Sequence, residues 1–109
     1  MAFDVGLADR IREVLSGEPG LTEKKMFGGI GFMLDGNMCA GVQRESLIVR
    51  VPAEQHAHHL AQPNVDQFPT PERPMKGWIT VSPDGIAEDE ELARWVQMGI
   101  SIARSLPPK

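Results

Sequence analysis

Asp35-Gly36 stands between two apolar runs, Phe32-Met33-Leu34 and Asn37-Met38-Cys39-Ala40, and a two-residue Asp-Gly link in that setting makes a β-hairpin. A tight turn there puts Leu34 opposite Asn37, Met33 opposite Met38, Phe32 opposite Cys39 and Ile30 opposite Gly41. In that register one face carries Ile30, Phe32, Leu34 and Cys39, and the other carries Met33, Met38, Ala40 and Val42. Both faces are apolar, whereas a hairpin with one wet side alternates apolar and polar residues. The hairpin is therefore expected to be central, with helices on one side and more chain or a partner subunit on the other. A homodimer is one way of supplying that cover.

The flanking elements follow from periodicity. Leu7, Ala8, Ile11, Val14 and Leu15 recur at helical spacing behind Asp4, a capping residue, so a helix is expected over 4–16, stopped by Gly17. From Leu21 to Val51 the period is that of strands, ending in Leu47-Ile48-Val49-Arg50-Val51. A short helix is expected over 53–61. The stretch 62–74 carries Pro63, Pro69, Pro71 and Pro74 and reads mainly as loop, with room for a short strand over 65–68. Trp78-Ile79-Thr80-Val81 is a further strand. The last helix opens on Glu88, Asp89, Glu90 and Glu91, where negative charge suits the helix dipole, and has Arg104 near its end. Its apolar stripe includes Leu92, Trp95, Val96, Gly99, Ile102, Ala103 and Leu106, and the mid-helix glycine predicts a close approach to the sheet. The expected fold is thus α+β: a two-layer α/β sandwich with an antiparallel sheet of about five strands and three helices, in the order α-β-β-β-β-α-β-α.

The length of 109 residues suits one domain over 1–109. Apolar runs stop well short of the roughly 18 residues a membrane span needs. The N-terminus has no basic stretch followed by an apolar segment, and a lone cysteine gives no intrachain disulfide framework, so a cytoplasmic protein without membrane contact is expected. Fifteen acidic against eleven basic residues leave a net charge of −4, which argues against direct nucleic-acid binding.

The motifs that could carry chemistry have simpler structural readings. Gly28, Gly29 and Gly31 resemble a phosphate loop in composition, yet no helix begins after them and no Gly-Lys-Ser/Thr ending follows, so they are expected to form a structural turn, bulge or crowded crossing. Phe27 and Phe32 lack the Lys/Arg-Gly-Phe-Gly-Phe order of a base-stacking strand. His56, His58 and His59 fan around a short helix and are expected to be a solvated surface and not a zinc site. Cys39 has no cation beside it in the sequence and is expected to be a small buried hydrophobe. No catalytic constellation, cofactor site or metal motif emerges from the spacing. Arg73-Pro74-Met75-Lys76-Gly77-Trp78 combines two cations with a tryptophan after a proline-rich stretch. With Arg50, the residues Arg73, Met75, Lys76 and Trp78 make the candidate interaction surface. A second possibility is a small-ligand or anion site, or an enzyme site, using the glycine-rich turn, Arg50 and Lys76.

Lys25-Met26-Phe27-Gly28-Gly29-Ile30-Gly31-Phe32-Met33, Gly36-Asn37-Met38-Cys39-Ala40, Leu47-Ile48-Val49-Arg50-Val51, Arg73-Pro74-Met75-Lys76-Gly77-Trp78 and Ala103-Arg104-Ser105-Leu106-Pro107 together resemble the TfoX N-terminal domain family over roughly residues 7–107. The resemblance implies a two-layer α/β domain with an antiparallel sheet. It also implies a regulatory role like that of the bacterial competence regulators for which the family is named, which act with a cyclic-AMP-responsive transcription factor. The expected partner is accordingly a protein, such as a transcription regulator. Those regulators carry a second, C-terminal helical domain that is expected to be missing here, and the family supplies no catalytic residues.

Overall fold

A computed structural model describes residues 3–26, 28–70 and 72–108. Helix α1 (Val5–Val14) starts where the Asp4 carboxylate accepts the Leu7 N–H at 3.0 Å, so one of the helix's open amides is satisfied by its own cap. Six strands follow from the alternating segments: β1 (Leu21–Met26), β2 (Gly29–Leu34), β3 (Asn37–Gln43), β4 (Ser46–Arg50), β5 (Val65–Thr70) and β6 (Arg73–Val81). A 3-10 turn, Ala53–Gln55, leads into the short helix α2 (His56–Leu60), and α3 (Asp89–Ser105) closes the chain.

The strands form one antiparallel sheet in the order β1-β2-β3-β4-β6-β5. This is the expected α+β architecture, with one strand more than the sequence indicates. The extra length lies in the proline-rich stretch, where β5 and β6 pair from Val65↔Val81 to Thr70↔Arg73. Proline is tolerated there because β5 is the edge strand and Pro74 lies beyond the stretch of β6, Trp78 to Val81, that pairs with β4. Pro69 lies opposite Pro74, so two residues without an N–H oppose each other.

Asp35 and Gly36 both have positive φ, 52° and 86°, as the tight hairpin turn requires of its two central residues. Leu34 pairs with Asn37 and Met33 with Met38, as expected. Beyond that point the register differs from the sequence expectation. A bulge inserts Cys39, so Phe32 pairs with Ala40, Gly31 with Gly41 and Ile30 with Val42. The bulge moves Ala40 and Val42 onto the face of Phe32, and both are fully buried in the core with Cys39. The opposite face is left with Met33, Met38, Gly31 and Gly41.

The main core lies between the first face and the helices. Ile30, Phe32, Leu34, Leu47, Val49, Ile79 and Val81 pack there against Leu7, Ile11 and Leu15 from α1 and its end, and Leu92, Val96 and Ala103 from α3. Gly99 allows α3 to sit this close: a Cβ there would collide with the Cys39 carbonyl and meet Val49 Cγ2 at 3.3 Å. Arginines then fasten the helices. Arg12 holds Glu23 of β1 through two 2.8 Å bonds, and this pairing keeps the Glu23 carboxyl below its ordinary range. Arg10 donates to the Ile86 carbonyl and Asp89, and Arg104 to Glu18, Pro19 and Asp35. Among the described residues no helix is long and apolar enough to cross a membrane.

Candidate functional site

All the ion pairs among the described residues involve Arg10, Arg12 or Arg104. The other side of the sheet is organised differently. Strand alternation puts Lys24, Met33, Met38, Ile48, Arg50, Asp66, Trp78 and Thr80 on it. Arg50 and Trp78 are cross-strand neighbours, with the guanidinium 4.9 Å from the indole centroid, a cation–π geometry. Phe68 approaches the same indole at 6.3 Å. Ile48 and Phe68 are each 2% exposed although neither belongs to the helix-side core, so apolar side chains are covered on this face as well. Arg50 and Trp78 remain half-buried, as do Met33 and Met38.

Trp78 therefore packs neither into the main core nor into open solvent. Lys76 is exposed two residues before it, and Met75 is 44% exposed. Arg73 begins β6 opposite Thr70, and its side chain lies outside the described residues, as does Phe27. Lys24, Arg50 and Lys76 make no ion pair among the described residues. Gly28 occupies the turn before β2 with φ +74°, a Cβ at Gly29 would strike the Val42 carbonyl, and Gly31 lies opposite Gly41. The glycine turn sits at the Gln43–Ser46 end of the sheet, whereas Arg50 lies four residues along β4, about 13 Å away at strand rise. The glycine turn, Arg50 and Lys76 do not share one centre.

The histidines correct the sequence expectation, since only His58 is exposed. Helix α2 lies against β6 and β5, and one of its side chains, His59, reaches Trp95 of α3. His56 Nδ1 accepts the Gly77 N–H at 2.8 Å and its Nε2 meets Gln67 Oε1 at 3.0 Å. His59 is 6% exposed and stands edge-on to Trp95, with ring centroids 5.5 Å apart. Its Nδ1 contacts the Gln62 amide nitrogen at 2.9 Å, while its buried Nε2 has no hydrogen-bond partner among the described residues. Burial, with the nearby His58 and His56 adding to it, pushes the His59 pKa down. A cleft of about 290 Å³ opens at this point between α2 and α3, lined by His59, Gln62, Val81, Arg94, Trp95 and Met98 among others. Nothing in the local sequence separates His59 from its exposed neighbour, because what buries it is α3, 30 and more residues away. Cys39 is buried with its thiol 3.4 Å from the Phe32 carbonyl, and burial pushes its pKa up to about 11, so it is a poor nucleophile. No group of three His, Cys, Asp or Glu side chains among the described residues could hold a metal ion.

The class defined by this arrangement is an α+β domain with its helices on one side of an antiparallel sheet and a charged, partly apolar sheet face on the other. Residues 13–103 match the TfoX N-terminal domain, and the chain belongs to that family. No curated protein matches the chain significantly.

Proposed function

We propose that this is a regulatory protein-interaction domain that works by docking and not by catalysis, and that its contact surface is the helix-free sheet face around Arg50 and Trp78. The observation that carries this reading is the buried Ile48 and the Phe68–Trp78 ring contact, flanked by half-buried Met33 and Met38 and by Lys24 and Arg50, which make no ion pair among the described residues. Arginine and tryptophan packed together in a partly desolvated patch are the residue types that dominate binding energy at interfaces. The charges also bear on the partner. Lys24 and Arg50 face a single acid of the described strands, Asp66, so two copies joined through this face would bring together surfaces of the same net sign. A protein with a more acidic surface fits better than a second copy.

A small-ligand or anion site built from the glycine turn, Arg50 and Lys76 lacks a common centre, so the docking reading is preferred to it. The experiment is capture of partners from native lysate by the tagged protein, comparing the natural chain with Arg50→Glu/Trp78→Ser of matched melting temperature. The natural chain should retain a specific protein that the variant loses. Equal retention by both would refute the surface assignment, and a natural chain that runs as a dimer the variant cannot form would replace the acidic partner with a second copy.

A further inference from the structure

We infer that His56 is an acid-sensitive latch on β6: as a neutral imidazole it pins residues 75–78 in place, and on protonation it releases them. The inference starts from an irregularity in the sheet. Between the pairs Gln67↔Ile79 and Pro69↔Pro74, two steps along β5 match five along β6, so β6 carries extra residues that leave the regular ladder. Gly77 lies in this excursion, buried and with φ +88°, a left-handed value that suits glycine. Its carbonyl accepts the Val51 N–H at 2.9 Å, and its own N–H donates to His56 Nδ1 at 2.8 Å. A side chain thus stands where a regular ladder would supply the acceptor.

A backbone N–H can only donate, so Nδ1 is an unprotonated acceptor and the ring proton sits on Nε2. The 3.0 Å contact with Gln67 Oε1 is then an Nε2–H donation to β5. One neutral imidazole therefore ties α2 to both strands of the hairpin. A second proton has only Nδ1 to go to. There it turns the acceptor into a donor facing the Gly77 N–H and leaves a buried amide unsatisfied, so protonation and the closed hairpin oppose each other. The titratable and charged groups on the elements packed here are Glu54 in the 3-10 turn, His58 and His59 on α2, Asp66 beside Gln67 on β5 and Lys76 beside Gly77 on β6. None of them forms an ion pair with His56 among the described residues. The released segment includes Met75, Lys76 and Trp78, so any effect on docking rests on the reading above, whereas the latch itself does not.

The test is an NMR titration of the isotope-labelled full chain between about pH 7.5 and 5, the range in which histidine changes charge. At the upper end the ring nitrogens of His56 should show the Nε2–H tautomer. On acidification the Gly77 amide should lose about tenfold of its exchange protection, corrected for the intrinsic pH dependence of exchange, while Val96 in the core of α3 keeps its own. His58→Asn should behave like the natural chain. His56→Asn places a side-chain oxygen near the position of Nδ1 that accepts a hydrogen bond and takes up no proton, so its Gly77 protection should not change with pH. The natural chain alone decides the matter if that variant does not fold. An Nδ1–H tautomer at the upper end, unchanged Gly77 protection at the acid end, or equal losses at Gly77 and Val96 would each overturn the inference. So would a fall in His56→Asn that matches the natural chain, because another group would then be the trigger.

Discussion

Gly99 and Cys39 meet at the point where α3 crosses the bulge in β3. Alanine is the better helix former by about 1 kcal/mol, so on propensity alone Gly99→Ala should stabilise the protein. The Cys39 carbonyl occupies the space its Cβ needs, and backbone yields poorly. Gly99→Ala should therefore destabilise by about 1–3 kcal/mol, the usual cost of overpacking, read as a lower urea midpoint with unchanged slope. A midpoint at or above the natural value would show that α3 can lift off the sheet. His59 gives a second prediction at this scale. Its folded pKa lies below the ordinary 6.5, so the unfolded chain binds the extra proton between those two values. Its contribution is fully present above about pH 6.5 and is lost as pH falls through the folded value. The groups around it, His56, His58, Glu91 and Arg94, remain in His59→Phe. That variant should show a shallower loss of stability than the natural chain between about pH 7 and 5.5 in parallel urea melts. Identical slopes would mean the imidazole is reached by water and protonates freely. The mid-helix glycine was legible in the sequence as a sign of close approach. The burial of His59 was not, because α2 spans only five residues and its environment is made by a distant helix.

At the scale of elements, Arg104 joins three pieces of chain. It reaches from the last turn of α3 to Glu18 and the Pro19 carbonyl before β1, and to Asp35 in the hairpin turn. A single exposed ion pair contributes little, but here two pairs and a carbonyl bond share one partly shielded side chain. Arg104→Ala should lower stability by about 1 kcal/mol, an effect reduced in high salt, with faster amide exchange at 17–20 and 35–37. Exchange unchanged at those amides would mean that the helix and the turns are held together by core packing alone. The elements differ in how plainly the sequence announces them. The Asp35-Gly36 turn, the Asp4 cap and α3 rest on local chemistry and are where periodicity places them. The Cys39 bulge leaves no mark in the sequence, since Met38-Cys39-Ala40 would pair without it, and only the core's demand for Ala40 and Val42 shows it. The β5–β6 hairpin is hidden for a different reason, because prolines that exclude an interior strand are acceptable on an edge.

Across the whole molecule, the two sides of the sheet have separate tasks. On the helix side Arg10, Arg12 and Arg104 are each matched by acids and the core is filled. On the other side Lys24 and Arg50 make no ion pair among the described residues, and Trp78, Met33 and Met38 are only half covered. Family membership and fold together account for the first side, and docking is what we propose for the second. The most direct measurement is site-specific photo-crosslinking in native lysate, with a benzophenone amino acid placed at Thr22 or Thr80 on the open face, or at Glu13 or Gln97 on the helix side. Adducts to one protein from Thr22 and Thr80, and none from Glu13 or Gln97, are the predicted result. Adducts confined to the helix-side positions would contradict the account.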